Sequence, residues 1–159
     1  GEVDMGVLEE KSVNLIVHGH EPNLFESVVV ACRDPKNIEK AKAAGAKGIM
    51  QILPSTFEEI RKTNPHYSSI DDPHWNIAAG IYYDRQMYLR WRNKGLATEE
   101  RLAYAFGSYN AGFGGVRKAY RKASSVHKTV STWGQVAPYA PRETRGYVKR
   151  IRGLMRKKR

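Results

Sequence analysis

The pattern of apolar and polar positions changes rhythm partway along the chain. Near the start, "SVNLIV" at residues 12–17 is a short β-branched apolar run that ends in the turn-rich "HGHEPN". That arrangement predicts a buried strand running into a loop. "LFESVVVAC" fits helix or strand by pattern, and its length after Pro22 favours helix. Asp34 and Pro35 make a good N-cap and first helical position for "KNIEKAKAA", with Gly45 as the stop. The first segment therefore predicts strand, helix, helix, with "AKGI" as a candidate second strand.

From Met50 onward the rhythm is helical only. Ser55 with Glu58 three residues later has the form of a capping box for "TFEEIRK". Asp72 and Pro73 open a longer helix through "WNIAAGIYYDRQMYLRWR", with Ile77, Ile81, Tyr88 and Trp91 at helical spacing and "NKG" as the end signal. Thr98 and the two glutamates after it cap "RLAYAFGSY", and Gly112, Gly114 and Gly115 predict a break before "VRKAYRKA". "WGQVAPYAP" predicts an extended, proline-punctuated linker, and "RETRGYVKRIRGLM" a last helix. The expected fold is mainly α (α+β): a helical domain carrying a short N-terminal strand–helix–helix segment.

Composition narrows the class. Of the 159 residues, 41% are hydrophobic and 27% charged, a globular balance. No run approaches the ~18 apolar residues of a membrane span. The acidic start "GEVDMGVLEEK" does not read as a secretory signal. Cys32 is the single cysteine, which excludes an internal disulfide or an all-cysteine metal site and reads as a buried, inert thiol.

The net charge of +11 is uneven: residues 1–49 carry eight acids against six bases, and residues 50–159 eight against twenty-one. With no internal repeat, this shift is the one candidate boundary, giving an αβ segment over 1–49 and a helical domain over 50–159 that ends in the basic run "RGYVKRIRGLMRKKR". A basic surface attracts polyanions. No basic strand interleaved with aromatics points to nucleic acid, so no specific nucleic-acid partner is expected. The tail reads as a solvated helix end suited to the macrodipole.

Two stretches carry candidate chemistry. Cleaving a glycosidic bond needs a proton donor at the leaving oxygen and a groove that holds sugars. "GIMQ" at residues 48–51 offers a close-approach glycine, the adaptable Met50 and the amide of Gln51. "SYN" offers Ser108, the aromatic face and phenol of Tyr109, and the amide of Asn110. Each is also compatible with a cap or a turn.

Taken in order, "GAKGIMQILPSTF", "WNIAAGIYYDRQ", "AFGSYNAGFGGV" and "PRETRGYVKRI" make residues 45–151 resemble the lysozyme-like lytic transglycosylases, which cleave the glycan strands of peptidoglycan. The resemblance implies a lysozyme-like helical body, a cell-envelope or periplasmic setting, peptidoglycan glycan strands as partner, and no cofactor. It also implies that Met50, Gln51, Ser108, Tyr109 and Asn110 contact sugar, together with Tyr147 of the last helix, which is equally compatible with helix packing. The family's mechanism uses one glutamate of a Glu-Ser pair, about a dozen residues before the "GA" motif, first as acid and then as base. Here "ACRDP" at residues 31–35 stands in that place.

Residues 1–49 resemble something else. "GVLEEKSVNLIVHGHEPNLFESVVVACRDPKNIEKAKAAGAKGI" looks like a segment of the nickel-iron carbon monoxide dehydrogenases, in which a histidine of the "VHGHEP" loop, matching His18 or His20, binds the metal cluster. That family's cysteine ligands are missing, so no metal is expected. "GAKGI" fits both families, which implies a chimera joined there. Glu26, followed by Ser27, recreates the Glu-Ser pair nineteen residues before Gly45 and is the candidate catalytic acid; Glu39, six before, is too close. His66, His74 and His127 have no nucleophile or metal spacing, and Glu143 suits the start of the last helix. Three readings stay open: a lytic transglycosylase-like protein whose activity is impaired by a displaced acid, a noncatalytic module binding peptidoglycan or an acidic polymer, and a metal-binding oxidoreductase fragment.

Overall fold

The computed structural model describes residues 13–18 and 52–156. The chain divides into two compact units, Gly1–Tyr83 and Asp84–Arg159. Apart from an isolated bridge residue at Ile52, no strand occurs among the described residues. The mainly helical class expected from the sequence holds.

In the first unit, residues 13–18 form a short helix, α1. Leu15 and Ile16 are buried side by side while Asn14 and His18 are exposed. This corrects the expected strand at residues 12–17, because a strand would bury alternate residues and a short apolar run does not distinguish the two forms by itself.

Helix α2, Pro54–Thr63, starts one residue before Ser55. Pro54 occupies the first turn and Leu53 is the N-cap, with no side-chain cap. Proline needs no hydrogen-bond partner there, so the Ser55–Glu58 capping box does not form and Glu58 instead pairs with Arg61 at 3.3 Å. Phe57 and Ile60 are buried, and Asn64 closes the helix by donating Nδ2 to Ile60 O at 3.0 Å.

Helix α3, Pro73–Arg90, opens at the expected place. The buried Asn76 donates Nδ2 to Ile70 O at 3.0 Å, holding the preceding loop. Tyr67 stacks on Trp75 at 5.0 Å, and His66 meets both rings edge-on. The division between the units falls inside α3, whose last turns belong to the second unit.

In the second unit the chain leaves α3 through a turn in which Asn93 adopts a left-handed φ of 70°, as helix C-termini often require. Helix α4, Thr98–Ala111, follows. Its N-cap is Ala97, so Thr98 lies inside the helix rather than capping it, while Glu99 and Glu100 suit the positive end of the dipole. Every residue from Leu102 to Ser108 is buried, the signature of a central helix. Accordingly α4 packs against α5 (Phe113–Val126), α6 (Trp133–Val136) and α7 (Arg142–Arg156).

Of the three glycines expected to break the chain, only Gly112 does. Its φ of 82° and ψ of 150° separate α4 from α5, a region essentially reserved for glycine. Gly114 and Gly115 lie within α5. The expected linker "WGQVAPYAP" is also corrected, since it forms α6 and a 3₁₀ turn, Ala137–Tyr139. Thr132 and Gln135 make a reciprocal capping box at its start, and Pro138 sits in a first turn where its missing N–H costs nothing. No helix among the described residues is long and apolar enough to cross a membrane.

Candidate functional site

The last turn of α4 carries Ser108, Tyr109 and Asn110, and what lies beneath it is aromatic. Trp91 meets the rings of Tyr104 at 4.9 Å, Phe113 at 5.2 Å and Tyr120 at 5.6 Å. Trp133 packs on Tyr104 at 5.8 Å. It also lies over Gly107, where a Cβ would come within 2.8 Å of its ring. Tyr104 is buried and donates its hydroxyl to Thr132 O at 2.9 Å. Burial, with Tyr120 and Glu100 close by, raises its pKa, so the phenol stays a neutral donor.

Ser108 belongs to this base. It is fully buried, accepts from Trp91 Nε1 at 2.8 Å and donates to Tyr104 O at 2.8 Å. Expected among the sugar contacts, it instead has its hydroxyl committed inside the unit. The sequence signal was present in principle, since a serine among seven successive buried positions needs an internal partner. Its partner Trp91, however, is seventeen residues away.

Exposure returns in the next two residues. Tyr109 is half-buried and Asn110 exposed, and Gly112 then turns the chain away. From α7, Thr144 donates Oγ1 to Asn110 Oδ1 at 2.8 Å. Tyr147, half-buried, follows one turn later on α7. Thr144 is thus brought together with the "SYN" stretch by tertiary structure, and sequence reasoning missed it. Glu100 fixes the other end of the same packing: its Oε2 accepts from Trp133 N at 2.9 Å and Arg152 Nη2 at 3.1 Å. Arg101 locks the start of α4 to the end of α3, with its guanidinium 3.8 Å over the Tyr88 ring and Nε donating to Tyr88 O.

Glu26, Met50 and Gln51 lie outside the described residues, as do His20, Cys32 and Glu39. Among the described residues, no group of three or more His, Cys, Asp and Glu is placed to hold a metal ion. His66 and His127 are exposed, and so is Glu143 at the start of α7. One carboxylate is unusual. Asp84 is buried, its Oδ1 has no hydrogen-bond partner among the described residues, and burial raises its pKa well above the ordinary range.

Comparison with known proteins gives two kinds of relative. The chain is 53% identical over 47 residues to carbon monoxide dehydrogenase 1 of Methanosarcina mazei, a stretch covering 30% of this chain and 8% of that protein. It is 52% identical over 48 residues to the carbon monoxide dehydrogenase/acetyl-CoA synthase subunit beta of Moorella thermoacetica, covering 30% and 7%. It is also 29% identical over 135 residues to the soluble lytic murein transglycosylase of Escherichia coli K12, covering 82% of this chain and 19% of that protein. The chain therefore spans only a minor part of each relative. No solved structure matches it.

A short dehydrogenase-like stretch beside a transglycosylase likeness over most of the chain is consistent with a chimera. The sequence pattern of the transglycosylase SLT domain matches residues 31–131, reaching back beyond the "GAKGI" stretch. With that match spanning well over half its length, the chain belongs to the transglycosylase SLT domain family.

Proposed function

We propose that this chain acts on peptidoglycan as a lytic transglycosylase, holding the glycan strand through Tyr109, Asn110 and Tyr147, with Met50 and Gln51 as further sugar contacts. The observation that carries the reading is the end of α4, where a half-buried aromatic and an exposed amide follow directly on the buried run Leu102–Ser108, inside a chain of the SLT family. An aromatic face packs on a sugar ring, and an amide both donates to and accepts from its hydroxyl and acetamido groups. Ser108 serves by holding Trp91 beneath that turn. The excess of basic residues after residue 50 favours approach to an anionic wall.

In this reading Glu26 is the single acid and base. It gives its proton to the glycosidic oxygen as the C1–O bond breaks, then takes the proton of the same sugar's primary hydroxyl as that oxygen bonds to C1. The products are an anhydro-ended strand and a strand with a new hydroxyl end, and no water is consumed. A second reading, glycan binding without cleavage, draws on "ACRDP", which puts no glutamate at residues 31–35. Cosedimentation with purified sacculi tests what the two share. Retention that falls in Tyr109→Ala and Asn110→Ala supports the assignment, and equal recovery in the supernatant with and without sacculi refutes it.

A further inference from the structure

The Asn110 side chain makes one hydrogen bond among the described residues, and it is to a side chain thirty-four positions away. The donor, Thr144 Oγ1, belongs to a residue only 1% exposed, whereas Asn110 itself is exposed. A buried hydroxyl thus reaches out of the packed contact between α4 and α7 to grip an amide at the surface.

The polarity of this bond matters. A carboxamide can present either its oxygen or its nitrogen to a neighbour, and a half-turn of its last torsion exchanges them. Because Thr144 donates to Oδ1, the oxygen is the amide atom engaged by α7, which leaves Nδ2 with both of its N–H donors for another partner. Thr144 is itself fixed: it sits on the inner face of α7 four residues before Val148, which is 0% exposed. An amide held this way suits an acceptor such as an acetamido carbonyl or a ring hydroxyl oxygen. It meets that acceptor without first losing torsional freedom, which is where preorganised sites gain affinity.

We infer that Thr144 is a positioning residue: its buried hydroxyl sets the orientation of the Asn110 amide so that the site presents a donor pair to an acceptor-bearing sugar. The sugar half of this inference rests on the function proposed above, and the orientation half does not.

The test uses the full chain in two arms. In the first, without ligand, the side-chain ¹⁵N relaxation of the Asn110 amide is measured in the parent, in Thr144→Val, which keeps the shape and loses the donor, and in Thr144→Ser, which keeps the donor. The amide is expected to be ordered in the parent and Thr144→Ser and mobile in Thr144→Val. Equal order in all three overturns the inference.

In the second arm, the affinity for a β-1,4-linked N-acetylglucosamine tetramer is expected to fall about three- to ten-fold in Thr144→Val, the scale of one net hydrogen bond, and to be restored in Thr144→Ser. Asn110→Ala should cost less in the Thr144→Val background than in the parent. Asn110→Asp keeps an acceptor for Thr144 but loses both donors, so it should weaken binding as much as Asn110→Ala and serves if Thr144→Val folds poorly. Full affinity in Asn110→Asp or Thr144→Val, or independent additive losses, overturns the inference. A parent chain that binds neither the tetramer nor sacculi refutes the proposed function, while the relaxation arm still decides whether Thr144 orients Asn110.

Discussion

Trp91 hangs on Ser108: the buried indole N–H donates to Ser108 Oγ at 2.8 Å, and that hydroxyl in turn donates a hydrogen bond to Tyr104 O at 2.8 Å. Ser108→Ala removes the acceptor and leaves a buried donor unsatisfied, a loss of about 1–3 kcal/mol. Urea unfolding should show a lower midpoint with an unchanged slope. A midpoint equal to that of the parent would mean the indole finds another acceptor.

Gly107 allows the Trp133 ring to lie against α4. A Cβ there would stand 2.8 Å from Trp133 Cη2 and 3.1 Å from Cζ3, and Trp133 is buried. Gly107→Ala should therefore destabilise through overpacking by about 1–3 kcal/mol, despite alanine's better helix propensity. A thermal scan showing an unchanged or raised Tm would contradict this contact.

Asp84 makes stability depend on pH in a definite direction. Burial raises its pKa above the ordinary 3.8, so the folded state holds this proton to higher pH than the unfolded chain does. The group's stabilising contribution is complete below 3.8 and is lost as pH rises through the folded value. Asp84→Asn removes the ionisation, so the stability of the variant relative to the parent should rise between pH 4 and pH 8. Urea midpoints of both proteins at the two pH values give the answer, and a difference that stays constant or shrinks toward pH 8 would contradict it.

Glu100 has two separable jobs, accepting from Trp133 N and pairing with Arg152. Both side chains of the pair are mostly covered, at 23% and 21% exposure, so the interaction is less screened than a surface pair. Glu100→Ala should cost about 1–3 kcal/mol and Glu100→Gln distinctly less, because the amide oxygen still caps the start of α6. Equal losses by chemical denaturation would assign the whole effect to the charge.

The legible parts of the fold were those with local signals. Asp72–Pro73 marked the start of α3 and the "NKG" signal its end, and the expected last helix is α7. "SVNLIV" misled because β-branching in a short apolar run suggests a strand, whereas residues 13–18 bury adjacent residues on a helix. "WGQVAPYAP" misled because its prolines suggest an extended linker, whereas Pro138 sits in the first turn of the 3₁₀ segment and the Thr132–Gln135 pair before it is a legible capping signal. In the site, the sequence could single out Tyr109, Asn110 and Tyr147 as residue types. It could not show that Ser108 faces Trp91 or that Thr144 grips Asn110, because those pairings are made by packing across seventeen and thirty-four residues.

The central claim is that this SLT-family chain cleaves glycan strands with Glu26 as its acid and base. Digestion of purified peptidoglycan, with mass spectrometry of the soluble products, tests it most directly. The account predicts anhydro-ended muropeptides from the parent chain, none from Glu26→Gln, and fewer from Asn110→Ala. No products from a folded parent chain, products carrying hydrolysed reducing ends, or undiminished release by Glu26→Gln would contradict it.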